Sequence, residues 1–157
     1  MSILEAIAAD HAEASALFDE LAPLVRDDRR SSDVMRVAAR LAVTVKTAAI
    51  AEHHVLHEAL RTAGDRLSAF ALESQHEFHA LDVMLDKLLA LRPGPDLAAV
   101  VAVAQRLFRA MIDRERHELL PAMGSELSET EVAQLGREHT AEKRRLRPRI
   151  ERQVAAF

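Results

Sequence analysis

The chain lacks cysteine, tryptophan and tyrosine, and its 157 residues include only four glycines and five prolines. The missing cysteines exclude disulfides, thiolate metal sites and a cysteine nucleophile. The absence of tryptophan and tyrosine, together with a net charge of −4, argues against nucleic acid as a partner. Few residues that break helices, set among abundant alanine, leucine, glutamate and arginine, favour helix over sheet.

Two further absences concern the membrane and secretion. No apolar run reaches 18 residues, which predicts that no segment spans a membrane. The N-terminal stretch carries acidic residues early and lacks a basic region, so we expect no signal peptide. These patterns predict a cytoplasmic protein with a single domain that covers residues 1–157.

Turn-forming residues divide the chain into five predicted helices, at about 3–24, 33–62, 66–91, 96–120 and 129–155. Ser2 caps the first helix and a Ser128–Glu131 capping box begins the last, while no stretch has the period-two alternation of a strand. Pro121 is expected to end the fourth helix, and Pro148 to kink or interrupt the fifth. The pattern predicts an all-α fold, an antiparallel up-down-up-down four-helix bundle with an additional C-terminal helix.

One pattern of residues occurs twice along the chain. Residues 48–60 read AAIAEHHVLHEAL, and residues 111–123 read MIDRERHELLPAM. In each stretch a glutamate, Glu52 or Glu115, is followed four residues later by leucine. Because similar turns occur in the same order in both halves, the sequence suggests an internal duplication. The alternative is that any two amphipathic helices look alike.

These two turns resemble those of the haemerythrin-like (HHE cation-binding) family, where they normally read His-x-x-x-Glu and carry part of a di-iron site. The opening DHAEASALFDEL places His11 at the family's first histidine ligand. The resemblance implies that Glu52 and Glu115 are carboxylate ligands inside a four-helix bundle and that the metal is iron. It also implies a role in sensing, carriage or redox response to O2, NO (nitric oxide) or peroxide. The residues at the remaining histidine positions are Ala48, Ser74, Phe78 and Met111.

The replaced histidines leave three candidate metal ligands, His11, Glu52 and Glu115. One nitrogen and two carboxylates suit a single Fe, Zn or Mn ion, so we expect such a reduced site rather than an intact di-iron centre. A metal-free hydrogen-bonded network is the alternative, because two buried glutamates repel and one then stays protonated or pairs with His11. A third alternative is that the helical register differs and these residues are exposed.

Three functions remain open from the sequence. The first is a haemerythrin-like metal protein that responds to O2, NO or peroxide. The second is an enzyme that uses the reduced site for an oxidative step. The third is an eroded, metal-free bundle that binds a small apolar ligand or a protein partner, with a homodimer as one form. No glycine-rich phosphate loop, G-x-S-x-G or H-E-x-x-H motif points to another chemistry.

A second group of possible ligands flanks the predicted break at 63–65. Its spacings of three and four residues place pairs of side chains on common helix faces, which would suit a zinc, nickel or copper site. The alternative is a set of solvated surface histidines. His117 and His139 are expected to be exposed as well, and His53 and His57 to lie on the flank of the core. The second cluster consists of His53, His57, Glu73 and His76.

Overall fold

A computed structural model describes all 157 residues, and every regular element in it is helical. Three helices are uninterrupted: α1 spans Ile3–Leu21, α3 spans Asp65–Ala90 and α5 spans Glu129–Ala155. The all-α class predicted from the sequence is therefore confirmed. None of the helices combines the length and the apolar character that crossing a membrane requires.

Helix α2 contains an irregular turn near its end. It begins as Ser31–Glu52, passes through a π-helical turn at His53–His57, and finishes with a last turn at Glu58–Leu60. Its start lies two residues before the predicted position, because a 3₁₀ turn at Asp28–Arg30 leads directly into it. Asp27 caps that turn by accepting a hydrogen bond from the backbone N–H of Arg29 at 3.1 Å.

Helix α4 contains a second π-helical turn and runs further than expected. It begins as Pro95–Arg114, passes through the π turn at Glu115–Leu119, and continues as Leu120–Glu126. The prediction that Pro121 ends the helix is wrong. Pro121 lies in the first turn of the α-helical segment that follows the π turn, and the helix continues through it to Glu126. Pro148 likewise lies inside α5 without interrupting it.

The sequence predicted two helix starts most clearly, because each of them has a capping box. At the start of α1, the Ser2 hydroxyl accepts from the Glu5 N–H, and the Glu5 carboxylate accepts from the Ser2 N–H at 2.7 Å. Ser128 and Glu131 repeat this arrangement at the start of α5. Each box satisfies two backbone groups that helix ends otherwise leave unpaired.

Two apolar clusters fill the space between the helices. The larger core has 18 buried residues from α1, α2, α3 and α4 and their connections, among them the fully buried Phe18 and Leu85. The smaller core has 11 buried residues at the other end of these helices, including Leu56 and Met123. Burial of each such side chain contributes about 1.5–3 kcal/mol, so these clusters are the main source of stability.

Helix α5 packs against α1 and α2. Leu146, Ile150 and Val154 of α5 form a third apolar cluster with buried residues of α2. His139 of α5 is fully buried, and its Nε2 lies 2.9 Å from the Asp10 carboxylate of α1. The prediction that His139 is exposed is therefore wrong, because the face of α5 that carries it lies against α1.

The close approach of α5 to the start of α1 predicts the effect of adding one methyl group. A Cβ at Gly136 would meet the backbone oxygen of Met1 and lie 2.8 Å from the backbone nitrogen of Ile3. Gly136→Ala is therefore expected to lower the free energy of unfolding by about 1–3 kcal/mol, measured by urea denaturation with circular dichroism. Gly124→Ala is the matched control, because Gly124 is also helical and has no atom within 4 Å of its added Cβ. Equal changes in the two variants would contradict the expected clash.

Candidate metal centre

A layer of polar residues separates the larger core from the smaller core. Along α1, Ile7 belongs to the smaller core and Ala14 to the larger core, with His11 between them. Helices α2, α3 and α4 also contribute residues to both cores. Each of them places one polar residue at this same level, between its residues of the larger core and its residues of the smaller core. Because side chains at this level face the interior, the layer concentrates polar groups within an apolar surrounding. Its members are His11 of α1, Glu52 of α2, Ser74 of α3 and Glu115 of α4.

The structure brings His11, Glu52 and Glu115 together. One possible ligand atom from each residue lies within 4.8 Å of the other two, and no second group of three donors meets this criterion. His11 Nε2 lies 2.9 Å from Glu115 Oε2, the separation of an ion pair. Both glutamates are 7% exposed, whereas the His11 side chain is 21% exposed. The three residues thus form a buried donor set with one member near its edge.

His57 lies beside this donor set, in contact with Glu52. Its Nε2 lies 3.4 Å from Glu52 Oε1, and the residue is 6% exposed. The expectation that His57 lies on the flank of the core is wrong, and the π turn gives the reason. In an α-helix, residues five apart differ in direction by about 140°. The i→i+5 pattern of the π turn instead places His57 on the same side as Glu52.

The two repeated glutamate turns share the same irregularity. The π turn of α2 begins immediately after Glu52, and the π turn of α4 begins at Glu115 itself. Single π turns inside α-helices are rare, and they occur frequently at functional sites. Their presence at both inward glutamates supports the internal duplication suggested by the sequence.

Burial and mutual repulsion determine the ionisation of the two glutamates. Burial and, after it, the neighbouring charge of Glu52 together raise the pKa of Glu115 to about 8. Burial also opposes ionisation of Glu52, but its contacts with His57, Glu115 and His11 together outweigh that effect and hold its pKa below the ordinary value. Burial lowers the pKa of His11, but the Glu115 contact and nearby carboxylate charges reverse this and leave it raised. The raised pKa values of Glu115 and His11 therefore favour a proton held within the donor set at neutral pH.

The two His–Glu contacts of this region lie at ion-pair distance but lack hydrogen-bond geometry. Seven buried side-chain nitrogen and oxygen atoms lack a hydrogen-bond partner, and five of them belong to this region. Leaving such groups unpaired in the interior is costly, and charged groups cost more than neutral ones. The five atoms are Glu52 Oε1, Glu115 Oε2, His53 Nδ1 and both ring nitrogens of His57.

A small cavity lies among the donors. It measures about 30 Å³, room for one ion or one water molecule, and His11, Glu52 and Glu115 all line it. Ala48 and Met111, which lie one turn before Glu52 and Glu115, form part of its apolar wall. The unpaired donor atoms and this space together fit a single cation.

A larger open pocket of about 400 Å³ leads from the surface to the two glutamates. Phe78 and Met111 supply part of its apolar wall, and Ser74 lies at its inner end. Ser74 is held by Arg114, whose guanidinium donates to its hydroxyl at 2.9 Å and also pairs with Glu77 at 2.8 Å. The pocket could admit a small molecule to the donor set.

The second predicted cluster, His53, His57, Glu73 and His76, is not gathered around one point. Glu73 pairs with Arg114 at 2.5 Å, on the exposed side of α3. His53 and His57 neighbour each other with ring centroids 5.8 Å apart. His76 is exposed and lies at the rim of the open pocket, while His117 is exposed as predicted.

Sequence reasoning missed two interactions that support this region. One is the buried network in which Asp10 contacts His139 and Lys143, next to His11 in the chain. A signal for it existed, because His139 follows Leu135 by four residues and so shares its apolar stripe. The other is Arg114, which lies 4.4 Å above the Phe70 ring and joins α4 to α3.

Ala48 and Met111 lie one turn before Glu52 and Glu115, so neither helix offers a histidine at that position. Compared with known proteins, the chain matches no family model, no curated protein and no solved structure.

Proposed function

We propose that this protein is a divergent haemerythrin-like metal protein that holds one divalent ion, iron in the first instance, through His11, Glu52 and Glu115. The observation that carries the proposal is the convergence of their ligand atoms within 4.8 Å around a small buried cavity. One oxygen of each glutamate lacks a hydrogen-bond partner, and a bound cation would satisfy both oxygens. Such a cation would explain why two carboxylates lie in an apolar interior.

The donor set fits a single iron, zinc or manganese ion better than an intact pair of iron ions. One imidazole nitrogen and two carboxylates are ligands that all three ions accept, and their two negative charges balance a divalent cation. When bound, the ion supplies an open coordination position for a small ligand such as O2, NO or peroxide. Glu115 gives up its proton on uptake, and Met111 keeps the surroundings apolar.

We also propose that the first four helices form an up-down-up-down bundle around this ion. Along α1 the chain passes from the smaller core to the larger one, and along α2 it passes back through Val45, Glu52 and Leu56. The order alternates again in α3 and α4. Such alternation is the arrangement of bundles that hold a metal between facing helices.

A metal-free binding module is the second candidate. The open pocket favours it, because about 400 Å³ lies within the range of pockets that take small organic ligands. Ile50, Phe78 and Met111 would contact an apolar ligand there. In that case one glutamate would stay protonated, and its partner would be paired with a histidine.

Elemental analysis of protein purified without a histidine tag tests these proposals. We expect about one transition-metal ion per chain, and its loss in His11→Ala, because His11 supplies the only nitrogen of the proposed set. His117→Ala is the matched control, since His117 is an exposed histidine on α4 outside the site. Two ions per chain in the unmodified protein would contradict a single-ion centre. A stable helical protein that takes up no ion would favour the metal-free module.

A further inference from the structure

The open pocket beside the donor set is much larger than a ligand such as O2 or NO requires. A water molecule has a share of about 30 Å³ in the liquid, and these molecules are of comparable size. The pocket measures about 400 Å³, which lies in the range of pockets that take small organic molecules. Its volume therefore points to an organic ligand and not only to a route for a diatomic gas.

The pocket and the small cavity among the donors share a wall. Glu52, Glu115 and Met111 line both spaces. Because an ion needs only the smaller space, the pocket stays open when the ion is bound. A molecule in the pocket would then lie directly beside the ion that the two glutamates hold.

The apolar part of the pocket suits a ring. Ile50, Phe78 and Met111 line it, and Phe78 is half-buried. Aromatic rings make favourable offset or edge contacts with phenylalanine, and the thioether sulfur of methionine makes favourable contacts with ring edges. This wall would thus hold the apolar body of a small ring compound.

His57 gives the pocket an unpaired polar group. The residue is 6% exposed, it lines the pocket, and its Nδ1 lacks a hydrogen-bond partner. Its Nε2 lies 3.4 Å from the Glu52 carboxylate, so a neutral ring carries its proton on Nε2 and leaves Nδ1 as an acceptor. A buried acceptor without a donor is costly. An O–H or N–H group of a ligand would supply that donor.

The charges around the pocket favour a neutral ligand. A bound divalent ion would balance the charges of Glu52 and Glu115. Asp82, the third acidic residue of the lining, pairs with Lys46 at 2.5 Å. The loaded pocket therefore has no free acidic residue to balance a cation, and placing an unpaired charge of either sign against its apolar wall would be unfavourable.

We propose that this pocket binds a small neutral ring compound with one hydroxyl or amine donor, which lies beside the ion and donates a hydrogen bond to His57. The inference rests on the proposed function and adds a class of organic ligand to the same centre. Phe78 and Met111 hold the ring, and His57 selects molecules that carry a donor.

Three probes that share a ring and differ in one substituent test this selectivity. Phenol, toluene and benzoate are titrated by calorimetry into protein loaded with Zn²⁺. Phenol is expected to bind about tenfold more tightly than toluene, which is the effect of one additional hydrogen bond. Benzoate is expected to bind more weakly than phenol, because it carries a charge and no donor. Equal affinities for phenol and toluene, or tightest binding by benzoate, would overturn the inference.

His57→Leu tests the residue that accepts the hydrogen bond. Leucine removes the acceptor and keeps a buried apolar side chain, so toluene should still bind while the preference for phenol disappears. His117→Ala is the matched control, since His117 is an exposed histidine of α4 outside the pocket, and it should keep the preference. A preference for phenol that persists in His57→Leu overturns the role of His57.

Phe78→Ala tests the location of the ligand and does not depend on how His57→Leu folds. Removal of the ring should weaken binding of phenol and toluene alike by about tenfold, because both lose the same aromatic contact. Unchanged affinities for both probes in Phe78→Ala would overturn binding in this pocket. Circular dichroism of each variant establishes that its helices are intact.

The outcomes for this inference and for the proposed function are distinct. Uptake of one Zn²⁺ per chain without binding of phenol overturns the inference and leaves the single-ion centre intact. A chain that takes up no Zn²⁺ overturns the proposed function. A preference for phenol that depends on His57, measured in that metal-free chain, would still support the class of ligand.

Discussion

Glu115→Gln is expected to abolish metal uptake and, at the same time, to stabilise the metal-free protein at alkaline pH. The amide cannot supply the negative charge that a divalent ion requires at this position. It also removes a buried carboxylate whose ionisation is unfavourable, because burial and the charge of Glu52 raise its pKa to about 8. A single substitution that improves stability while it removes binding would indicate a site built for an ion.

The pH dependence of this effect follows from the same pKa. Below pH 4.5 the folded and unfolded states both hold the Glu115 proton, and the carboxylate causes no penalty. As pH rises to about 8, the unfolded state loses the proton while the folded state retains it, so the unmodified protein becomes less stable. Each pH unit in that window corresponds to about 1.4 kcal/mol at most, so Glu115→Gln is expected to gain up to a few kcal/mol.

Urea unfolding with a chelator present, at pH 5 and pH 9, measures this gain. Glu118→Gln provides the control, since Glu118 lies in the same π turn but is exposed. Its stability should follow that of the unmodified protein at both pH values. A Glu115→Gln variant with the same pH profile as the unmodified protein would show that Glu115 ionises freely.

Asp10→Asn is expected to produce the largest loss of stability among single polar substitutions. Asp10 is 7% exposed and contacts both His139 and Lys143, so it joins α1 to α5. Removing the charge leaves the Lys143 ammonium without its counter-ion. The expected cost is about 2–4 kcal/mol, below the range for fully buried pairs because the Lys143 side chain is 29% exposed.

A double-mutant cycle tests this account of Asp10. Adding Lys143→Met to Asp10→Asn should recover part of the lost free energy of unfolding, because no unpaired ammonium remains. Asp19→Asn is the control, as Asp19 is an exposed aspartate of the same helix. Strictly additive effects of the two substitutions would contradict a direct Asp10–Lys143 interaction.

The all-α class and the convergence of His11, Glu52 and Glu115 were accessible from the sequence for a clear physical reason. Glu52 lies in phase with Val45 and Leu56 on the apolar stripe of α2, so its inward direction followed from helical periodicity alone. The capping boxes were equally readable, because they depend on residues three apart.

The remaining parts of the site depend on interactions that no local pattern contains. The π turns of α2 and α4 follow from how whole helices pack, and without them His57 is assigned to the wrong side of its helix. The same applies to Pro121, which ends a helix by local rules but is tolerated directly after a π turn. The burial of His139 had a local signal in its spacing from Leu135, but that pattern does not contain its contact with Asp10 of α1.

The two π turns also have a consequence for how such a centre changes during evolution. Gain of one codon inside a regular helix rotates every later side chain by about 100°, which a packed core does not tolerate. In α2 and α4 a widened turn next to Glu52 and Glu115 absorbs the additional residue. Loss of one codon there would restore a regular helix and keep the residues on either side in phase, while the side chains within the turn change direction. A donor can thus enter or leave the interior in one mutational step, while the helical scaffold persists.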